Sequence, residues 1–371
     1  NIKFSGEVYI SPFLCYDALD WRRIPNEQQE RDIRMIFRKL YGIDLGSSSV
    51  KIYSMRKNTT YEEKNMIAYR GNRILCVGDE AYEMFEKNPQ DIHVESPMSA
   101  GMIANRELVE IMLYSMMRKI EHQGFLSASI YFSVPTDLSA MEKQVYYSTA
   151  NGAFLRKNKV YMVEAPICDA IAMGISLNPC PGSMIVNMGA QKTQVSIIAD
   201  GKVIISRSIP IGGRQMDEAI CSEIRSRYSL NIGTRTARRL KVVMGRLNTD
   251  RKEARKVIGI DSVSGLPREE TISSYVISDG IRNCMDKIVA EIKVFLERIP
   301  PQIRGHIAAE GIYLTGGCTR LPFLNHYLAT GTGFSYKLSD LYESATIRGL
   351  EILIRDRELR SYAVPVKQRI L

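Results

Sequence analysis

Three short turns rich in glycine and other small residues are the parts of the sequence whose residue types suit chemistry. They read Asp44-Leu-Gly-Ser-Ser-Ser49, Asn187-Met-Gly-Ala-Gln-Lys-Thr193 and Leu314-Thr-Gly-Gly-Cys318. Small side chains in a turn let backbone N–H groups approach phosphate oxygens, and an acidic residue at a strand end, here Asp44, can hold Mg²⁺ through water. The turns therefore predict a phosphate-binding site, although each alone is compatible with an ordinary tight turn.

Strands are the elements that would position these turns. Val50 and Ile52 alternate with polar residues after the first turn, and Met184–Ile198 repeats the strand–turn–strand pattern. Aligning Asp44 with Asn187 places Gly46 on Gly189. This repeat predicts an internal duplication, with two related α/β domains that each begin with such a hairpin.

Other segments fill in the α/β pattern. Apolar spacing and capping signals predict a strand at Ile130–Val134 and helices at Glu107–Ile120, Met216–Arg227, Thr234–Met244 and Ile277–Ile299, with another helix starting at Ser139. The polar stretch Asn248–Pro267 predicts a loop, and Arg355–Leu371 predicts a loosely packed tail.

Composition excludes several protein classes. The 371 residues are 45% apolar and 25% charged, with 50 basic and 41 acidic side chains, which is typical of a globular protein and excludes a disordered or collagen-like chain. The sequence has no apolar run of membrane-spanning length and no signal-peptide pattern. Seven cysteines without a Cys-x-x-Cys pair predict reduced thiols in a cytoplasmic protein, and the four histidines do not have zinc spacing.

Positive charge is concentrated between Arg235 and Lys256, where nine basic residues face only Asp250 and Glu253. One interpretation is an anion-binding surface for nucleic acid, acidic lipid or a partner. The other is a solvated helix face followed by a charged loop. Because no aromatic residues are interleaved with these charges, we expect no nucleic-acid partner.

The order of the three turns resembles the actin-like ATPase fold, with its phosphate-1, phosphate-2 and adenosine motifs. Further blocks resemble the MreB family of bacterial actins, in that family's order from about Met35 to Leu353. These blocks are Gly78–Ala81, Pro97–Ala104, Val134-Pro135 with Glu142, Glu164–Ala172, Ile211–Ala219, Ile232–Ala237, Ser264–Pro267 and Gly311–Gly317.

The resemblance implies an actin-like α/β fold of two duplicated RNase-H-like domains with a nucleotide cleft between them. We expect one domain at 35–183, completed by 335–354, and the other at 184–334. Residues 1–34 are expected to be an extension outside the family match, and 355–371 the tail.

ATP and Mg²⁺ are the cofactors that the resemblance implies. The corresponding binding residues are Asp44, which would also hold the metal through water, and Gly46, Ser47, Ser48, Asn187, Gly189, Lys192, Thr193, Arg238, Lys241, Gly316 and Gly317. Glu142 matches the position that orients the attacking water. The alternative for Glu142 is a capping box with Ser139.

Departures from the family pattern predict weakened ATP and Mg²⁺ binding and slow or absent hydrolysis. The family's Asp-x-Gly-Gly-Gly-Thr-Thr-Glu is Asn187-Met-Gly-Ala-Gln-Lys-Thr-Gln194 here, so a carboxylate has become an amide. Lys192 stands at a position where the family has threonine. Its ammonium would lie either where the charge of the metal would otherwise be or on the protein surface. Arg238 replaces a carboxylate that would accept ribose hydroxyls, because a guanidinium only donates.

The resemblance also implies a function. We expect an ATP-binding cytoskeletal protein that forms filaments at the inner face of the membrane and guides cell-wall synthesis and rod cell shape, with RodZ- and MreC-like partners. Phe125 and Leu126 would form an apolar membrane tip, unless they fold back onto the domain. The alternatives are a nucleotide-poor pseudo-ATPase subunit that co-assembles with a typical paralogue, and a small-molecule kinase on the same fold.

Overall fold

The computed structural model describes residues 39–89, 91–99, 101–121, 128–136, 138–155, 157–248 and 253–367. The extension predicted at residues 1–34 lies outside the described residues, as do Phe125 and Leu126.

Short strands predominate in the described residues. They are β1 Leu40–Leu45, β2 Ser49–Ser54, β3 Thr59–Lys64, β4 Ile67–Arg70, β5 Arg73–Val77, β6 His93–Glu95, β7 Met98–Ser99, β8 Met102–Ile103, β9 Ser129–Val134, β10 Lys159–Glu164, β11 Ser183–Met188, β12 Thr193–Ala199, β13 Lys202–Ile209, β14 Leu230–Asn231, β15 Ala254–Asp261, β16 Pro267–Ser273, β17 Ile312–Thr315, β18 Tyr336–Leu338 and β19 Val364–Val366. The α-helices are α1 Asp79–Met84, α2 Arg106–Ile120, α3 Ala140–Ala150, α4 Ala165–Ala172, α5 Gly213–Tyr228, α6 Thr234–Met244, α7 Ser274–Glu297, α8 Pro301–Glu310, α9 Leu324–Thr332 and α10 Ala345–Arg355. Helices and strands predicted from the sequence are thus confirmed to within a few residues at each end.

Two larger sheets share one strand order when the second is read in the opposite direction, apart from the additional edge strand β19 of the first. The first runs β19-β10-β9-β1-β2-β3 and the second runs β13-β12-β11-β17-β18. In the first sheet, β1 pairs antiparallel with β2 and parallel with β9. In the second sheet, β11 pairs in the same way with β12 and with β17. The repeated order confirms the duplication predicted from the two similar hairpins.

Helices α4 and α10 pack against each other, and α10 also contacts β1 of the first sheet. Gly349 permits the close approach of the two helices, because a Cβ at that position would collide with the backbone carbonyl oxygen of Cys168. Apolar side chains of both helices form one buried cluster with Ile185 and Ile198 of the second sheet. The helix pair therefore contacts both larger sheets.

Two segments differ from the sequence predictions. The stretch expected as a loop, Asn248–Pro267, contains β15, which pairs with β14 and β16 in a small sheet. Most of its side chains are exposed and many are charged, so the buried face that signals a strand is short. The described part of the tail, 355–367, is also more regular than expected, because β19 pairs with β10 as an edge strand of the first sheet.

The predicted boundary at 334/335 falls just before β18, which pairs with β17 in the second sheet. The second sheet therefore extends a few residues beyond that boundary, and only the following helix α10 returns to the first sheet. In the described part of the chain, none of the helices has both the length and the apolar character needed to cross a bilayer.

Candidate functional site

A cleft of about 390 Å³ lies between the hairpin β1–β2 and the hairpin β11–β12. The structure brings most of the predicted binding residues to its walls. These are Asp44, Gly46, Ser47, Ser48, Asn187, Gly189, Lys192, Arg238, Lys241, Gly316 and Gly317. All three glycine turns, which are far apart in the sequence, therefore meet at one site.

The first hairpin is a tight turn held at both ends. A Cβ at Gly46 would lie 2.7 Å from the backbone oxygen of Ser49, so the turn requires glycine there. Asn65 donates a hydrogen bond from Nδ2 to the Gly46 carbonyl oxygen at 2.8 Å. Asp44 lies near the end of β1 and accepts a hydrogen bond from Ser133 Oγ at 2.8 Å. Its carboxylate is thereby oriented at the wall of the cleft.

The second hairpin is closed by a hydrogen bond from Gly189 N to Lys192 O at 2.9 Å. Its backbone also accepts from the start of helix α5, where Gly213 N lies 3.0 Å from Gly189 O and Arg214 N lies 2.7 Å from Ala190 O. The first N–H groups of a helix have no intrahelical partner. Here the hairpin accepts from two of them, which fixes the helix against the turn.

Asn187, which stands where the pattern that the chain resembles has a carboxylate, contacts a buried carboxylate from another element. Its Nδ2 donates to Asp169 Oδ2 at 2.7 Å. Asp169 lies on α4, is only 1% exposed, and also accepts from Thr315 Oγ1 at 2.9 Å and Thr346 Oγ1 at 2.7 Å. Burial raises the pKa of Asp169 to about 6, and the three hydrogen bonds oppose that rise.

Lys192 directs its ammonium group towards the cleft. Its Nζ and Cε would lie 3.1 Å from a Cβ built on Gly101, so glycine leaves room for the side chain. Burial lowers the pKa of this ammonium. Within the described residues no hydrogen bond or ion pair engages the Lys192 ammonium, so its charge is available to an anion.

Basic side chains outnumber acidic ones on the cleft walls. Lys51, Lys64, Lys192, Arg214, Arg238, Lys241 and Arg320 face Asp44, Glu62, Asp217 and Glu343. Lys241 forms an ion pair with Asp217 at 2.6 Å, and burial raises the pKa of Asp217 while Lys241 opposes that rise. Arg238 Nη2 lies 3.5 Å from Ser48 Oγ, across the cleft. The resulting electrostatic character favours a negatively charged ligand.

The third turn forms another wall of the cleft. Gly316 has φ 93°, a conformation that favours glycine. Beyond it, Arg320 binds the Glu343 carboxylate through two hydrogen bonds of 2.8 and 2.9 Å. The same guanidinium lies 4.2 Å from the ring centroid of Tyr342. Arg320, Tyr342 and Glu343 therefore add polar groups to this wall of the cleft.

Two predicted site residues do not line the cleft. Glu142 accepts a hydrogen bond from Ser139 N at 2.7 Å, while Ser139 Oγ accepts from Glu142 N at 3.2 Å. This is the capping box that the sequence offered as the alternative, and hydrogen bonding to Ser139 lowers the pKa of Glu142. Thr193 is buried and donates from Oγ1 to the Ile211 carbonyl oxygen at 2.8 Å. Thr193 therefore stabilises the second hairpin through a buried contact outside the cleft.

In the described parts of the basic segment, 235–248 and 253–256, the positive charges do not form one open surface. Arg235 is only 8% exposed, and its Nη1 donates to the carbonyl oxygens of Glu83 and Phe85, at 3.1 Å each. Arg238 and Lys241 line the cleft, as described above. Lys256 forms an ion pair with Glu269 at 2.7 Å. Several of its charges are therefore satisfied by the fold itself.

Residues that the sequence did not single out complete the site. Asp169, Arg214, Asp217, Arg320 and Glu343 reach the cleft or support its walls. Arg214 and Asp217 follow a Gly-Gly pair that begins helix α5, so the pairing of a glycine turn with charge is a signal that could have identified them. Asp169 gave no such signal, because its partners come from three separate segments.

Comparisons with known proteins place the chain in a family. The MreB/Mbl protein family model matches residues 38–361. The cell shape-determining protein Mbl of Bacillus subtilis (strain 168) is 32% identical over 298 residues, covering 79% of this chain and 89% of that protein. The structure of MreB5 of Spiroplasma citri bound to AMPPNP is 27% identical, with a TM-score of 0.82, and the match covers 88% of this chain and 98% of that one.

A more distant structure shares the fold. The MamK double helical filament is 19% identical, with a TM-score of 0.71, and the match covers 86% of this chain and 99% of that one. The family match spans nearly all of the described residues, including both hairpins and the third glycine turn. The fold is actin-like, and the chain belongs to the MreB/Mbl family.

Proposed function

We propose that this chain is a cytoskeletal protein of cell shape that binds ATP in the cleft and assembles into filaments at the inner face of the cell membrane, where it guides cell-wall synthesis. The observation that carries the proposal is the meeting of three glycine turns in one cleft with an excess of basic side chains. Nucleotide binding is supported by the AMPPNP-bound MreB5 relative, and assembly by the MamK filament. Contact with the membrane and with RodZ- and MreC-like proteins rests on the family resemblance.

The cleft suits a nucleoside triphosphate in three ways. Backbone N–H groups of both hairpins would approach the phosphates, as small residues permit. Lys192 and Arg214 would offset phosphate charge. Arg238 and Lys241 reach the cleft from helix α6 and would face the ribose.

Magnesium fits the donor set on one side of the cleft. In nucleotide sites Mg²⁺ is commonly held by one or two carboxylates together with phosphate oxygens and water. Asp44 supplies one oriented carboxylate, and Asn187 supplies a neutral amide. Bound there, Mg²⁺ would stabilise charge on the β and γ oxygens of ATP.

Hydrolysis is expected to be slow. Phosphoryl transfer depends on positioning the attacking water and on stabilising charge at the phosphates. The Glu142 carboxylate is held by the cap of helix α3 and does not line the cleft. We therefore expect ATP to act mainly as a ligand for assembly.

A second candidate is a nucleotide-poor subunit that co-assembles with a typical paralogue. It is favoured by two contacts across the cleft, from Arg214 to the Ser47 carbonyl oxygen at 2.8 Å and from Arg238 to the Ser48 hydroxyl. These contacts engage both guanidinium groups, which a phosphate would otherwise bind. If they persist, ATP must compete with them.

Binding and sedimentation of the purified full chain separate the two candidates. Calorimetric titration with ATP and Mg²⁺ should show saturable binding, and ultracentrifugation should show ATP-dependent polymer. Addition of anionic liposomes should bring that polymer to the membrane fraction. Absence of both ATP binding and self-assembly, with polymer formed only when a typical MreB is added, would establish the second candidate.

A further inference from the structure

The two halves of the fold supply a carboxylate to the end of their first strand in different ways. In the first sheet, Asp44 is in register with Ser133 of β9, and Ser133 donates directly to Asp44. At the same place in the second sheet, Asn187 is in register with Thr315 of β17. Both of those side chains donate instead to Asp169. The carboxylate of the second half therefore comes from helix α4.

The chemistry of the amide fixes its orientation. An ionised carboxylate only accepts hydrogen bonds, so Asn187 must present Nδ2 to Asp169 and turn Oδ1 away from it. A Cβ built on Gly316 would lie 2.8 Å from Asn187 Oδ1, so this oxygen faces the third glycine turn. Asn187 and Gly316 both line the cleft. The direction of the amide at the wall is thus set by a buried residue behind it.

We propose that Asp169 is the positioning residue of the second hairpin, which holds the Asn187 amide with its oxygen towards the bound nucleotide. This assignment rests on the proposed nucleotide site. Asp169 also accepts from Thr346 at the start of α10, the helix that packs against the first sheet. The contact therefore ties the nucleotide-facing hairpin of one half to a helix that belongs with the other half.

The position of the negative charge follows from this arrangement. The ligand meets a neutral acceptor at Asn187, while the charge stays behind it on Asp169, 2.7 Å from the amide nitrogen. An aspartate at 187 would place two carboxylates in contact, which strongly disfavours ionisation of both. Exchanging the two residues would restore one donor and one acceptor and would move the charge to the cleft side.

The exchange provides the test. We expect Asn187→Asp and Asp169→Asn each to lower the melting temperature of the full chain, and the double variant to recover more than half of the summed loss. The matched control combines Asn187→Asp with Thr346→Val, which removes a different donor to Asp169. This control should show no recovery.

Magnesium dependence of ATP binding gives a readout that a purely structural role would not move. In the wild type, adding Mg²⁺ should change the ATP dissociation constant by less than about threefold. In the double variant a carboxylate faces the phosphates, so the same addition should tighten binding about tenfold or more. Asp44→Asn in the wild-type background should remove what Mg²⁺ effect there is.

The outcomes are distinguishable. A double variant no more stable than the sum of its single variants would overturn the reciprocal pair, whatever happens to ATP. Recovered stability with the wild-type response to Mg²⁺ would overturn the positioning role and leave Asp169 a structural residue. If the wild type and the double variant bind no ATP with or without Mg²⁺, then the proposed function fails, and with it the positioning role, while the melting temperatures still decide the pair.

Discussion

Arg214 donates from Nη2 to the backbone carbonyl oxygen of Ser47 at 2.8 Å, which joins the helix behind the second hairpin to the first hairpin. Arg214 is half-buried, and burial together with the nearby Arg238 lowers the pKa of its guanidinium. A buried cation gains most from an acceptor that satisfies it. This contact therefore links the helix that abuts the second hairpin to the first hairpin, across the cleft in which a phosphate would have to fit.

Replacing Arg214 with Ala should weaken ATP binding about tenfold, because the variant loses both a phosphate-facing cation and the bridge between the hairpins. Titration calorimetry measures the effect. Arg225→Ala is the matched control, since Arg225 lies exposed on the same helix and does not line the cleft. Equal losses in the two variants would argue against a specific role for Arg214.

Lys192→Met should lower ATP affinity several-fold and make the remaining binding less sensitive to salt. The ammonium lies at the cleft without a protein partner among the described residues, so its charge is available to a ligand. Methionine keeps much of the volume and removes the charge. Titrations at two ionic strengths test this, and an unchanged salt slope would exclude Lys192 from the phosphate site.

Arg235→Ala should destabilise the folded chain by about 1–3 kcal/mol, because two carbonyl oxygens lose a charged donor. The guanidinium also lies 4.7 Å from the ring centroid of Tyr82, and the neighbouring Thr234 donates to Glu86. Chemical denaturation measures the change. Arg239→Ala, at an exposed position of the same helix, should stay within about 0.5 kcal/mol of the wild type.

The dependence of folding stability on pH should show the raised pKa of Asp169. Its pKa in the folded chain, about 6, lies above its ordinary value near 3.8, so the folded state binds this proton more tightly than the unfolded state. The contribution of this group to stability therefore falls as pH rises from about 4 to 6 and is level above that. Asp169→Asn lacks this dependence. Between pH 4 and 7 the wild type should lose on the order of 2–3 kcal/mol more than the variant; parallel profiles would contradict the assignment.

Substitutions at Glu142 can distinguish a helix-capping role of this residue from a catalytic role. A capping box accepts either Glu or Gln at its third helical position. Glu142→Gln should therefore leave both the melting temperature and any ATP turnover unchanged. Glu142→Ala should lower the melting temperature and leave any ATP turnover unchanged. Phosphate-release assays decide this, since lost turnover with unchanged stability in Glu142→Gln would restore the catalytic role.

The sequence by itself determined the duplicated hairpins and eleven of the residues that line the cleft. The tight turns at Gly46, Gly189 and Gly316 require glycine for local backbone reasons, so the sequence predicts them directly. The same holds for the cap at Ser139, whose partner Glu142 lies three residues away. These features need only neighbours along the chain.

Tertiary structure alone decided which polar groups meet. Asp169 collects donors from β11, β17 and α10, and Arg214 spans 167 positions to reach Ser47. The change from a carboxylate to an amide at Asn187 looked in sequence like the loss of a charge. In the fold, that amide is held by a buried carboxylate from another helix. Contacts of this kind depend on how strands and helices are brought together in space, which no spacing along one chain specifies.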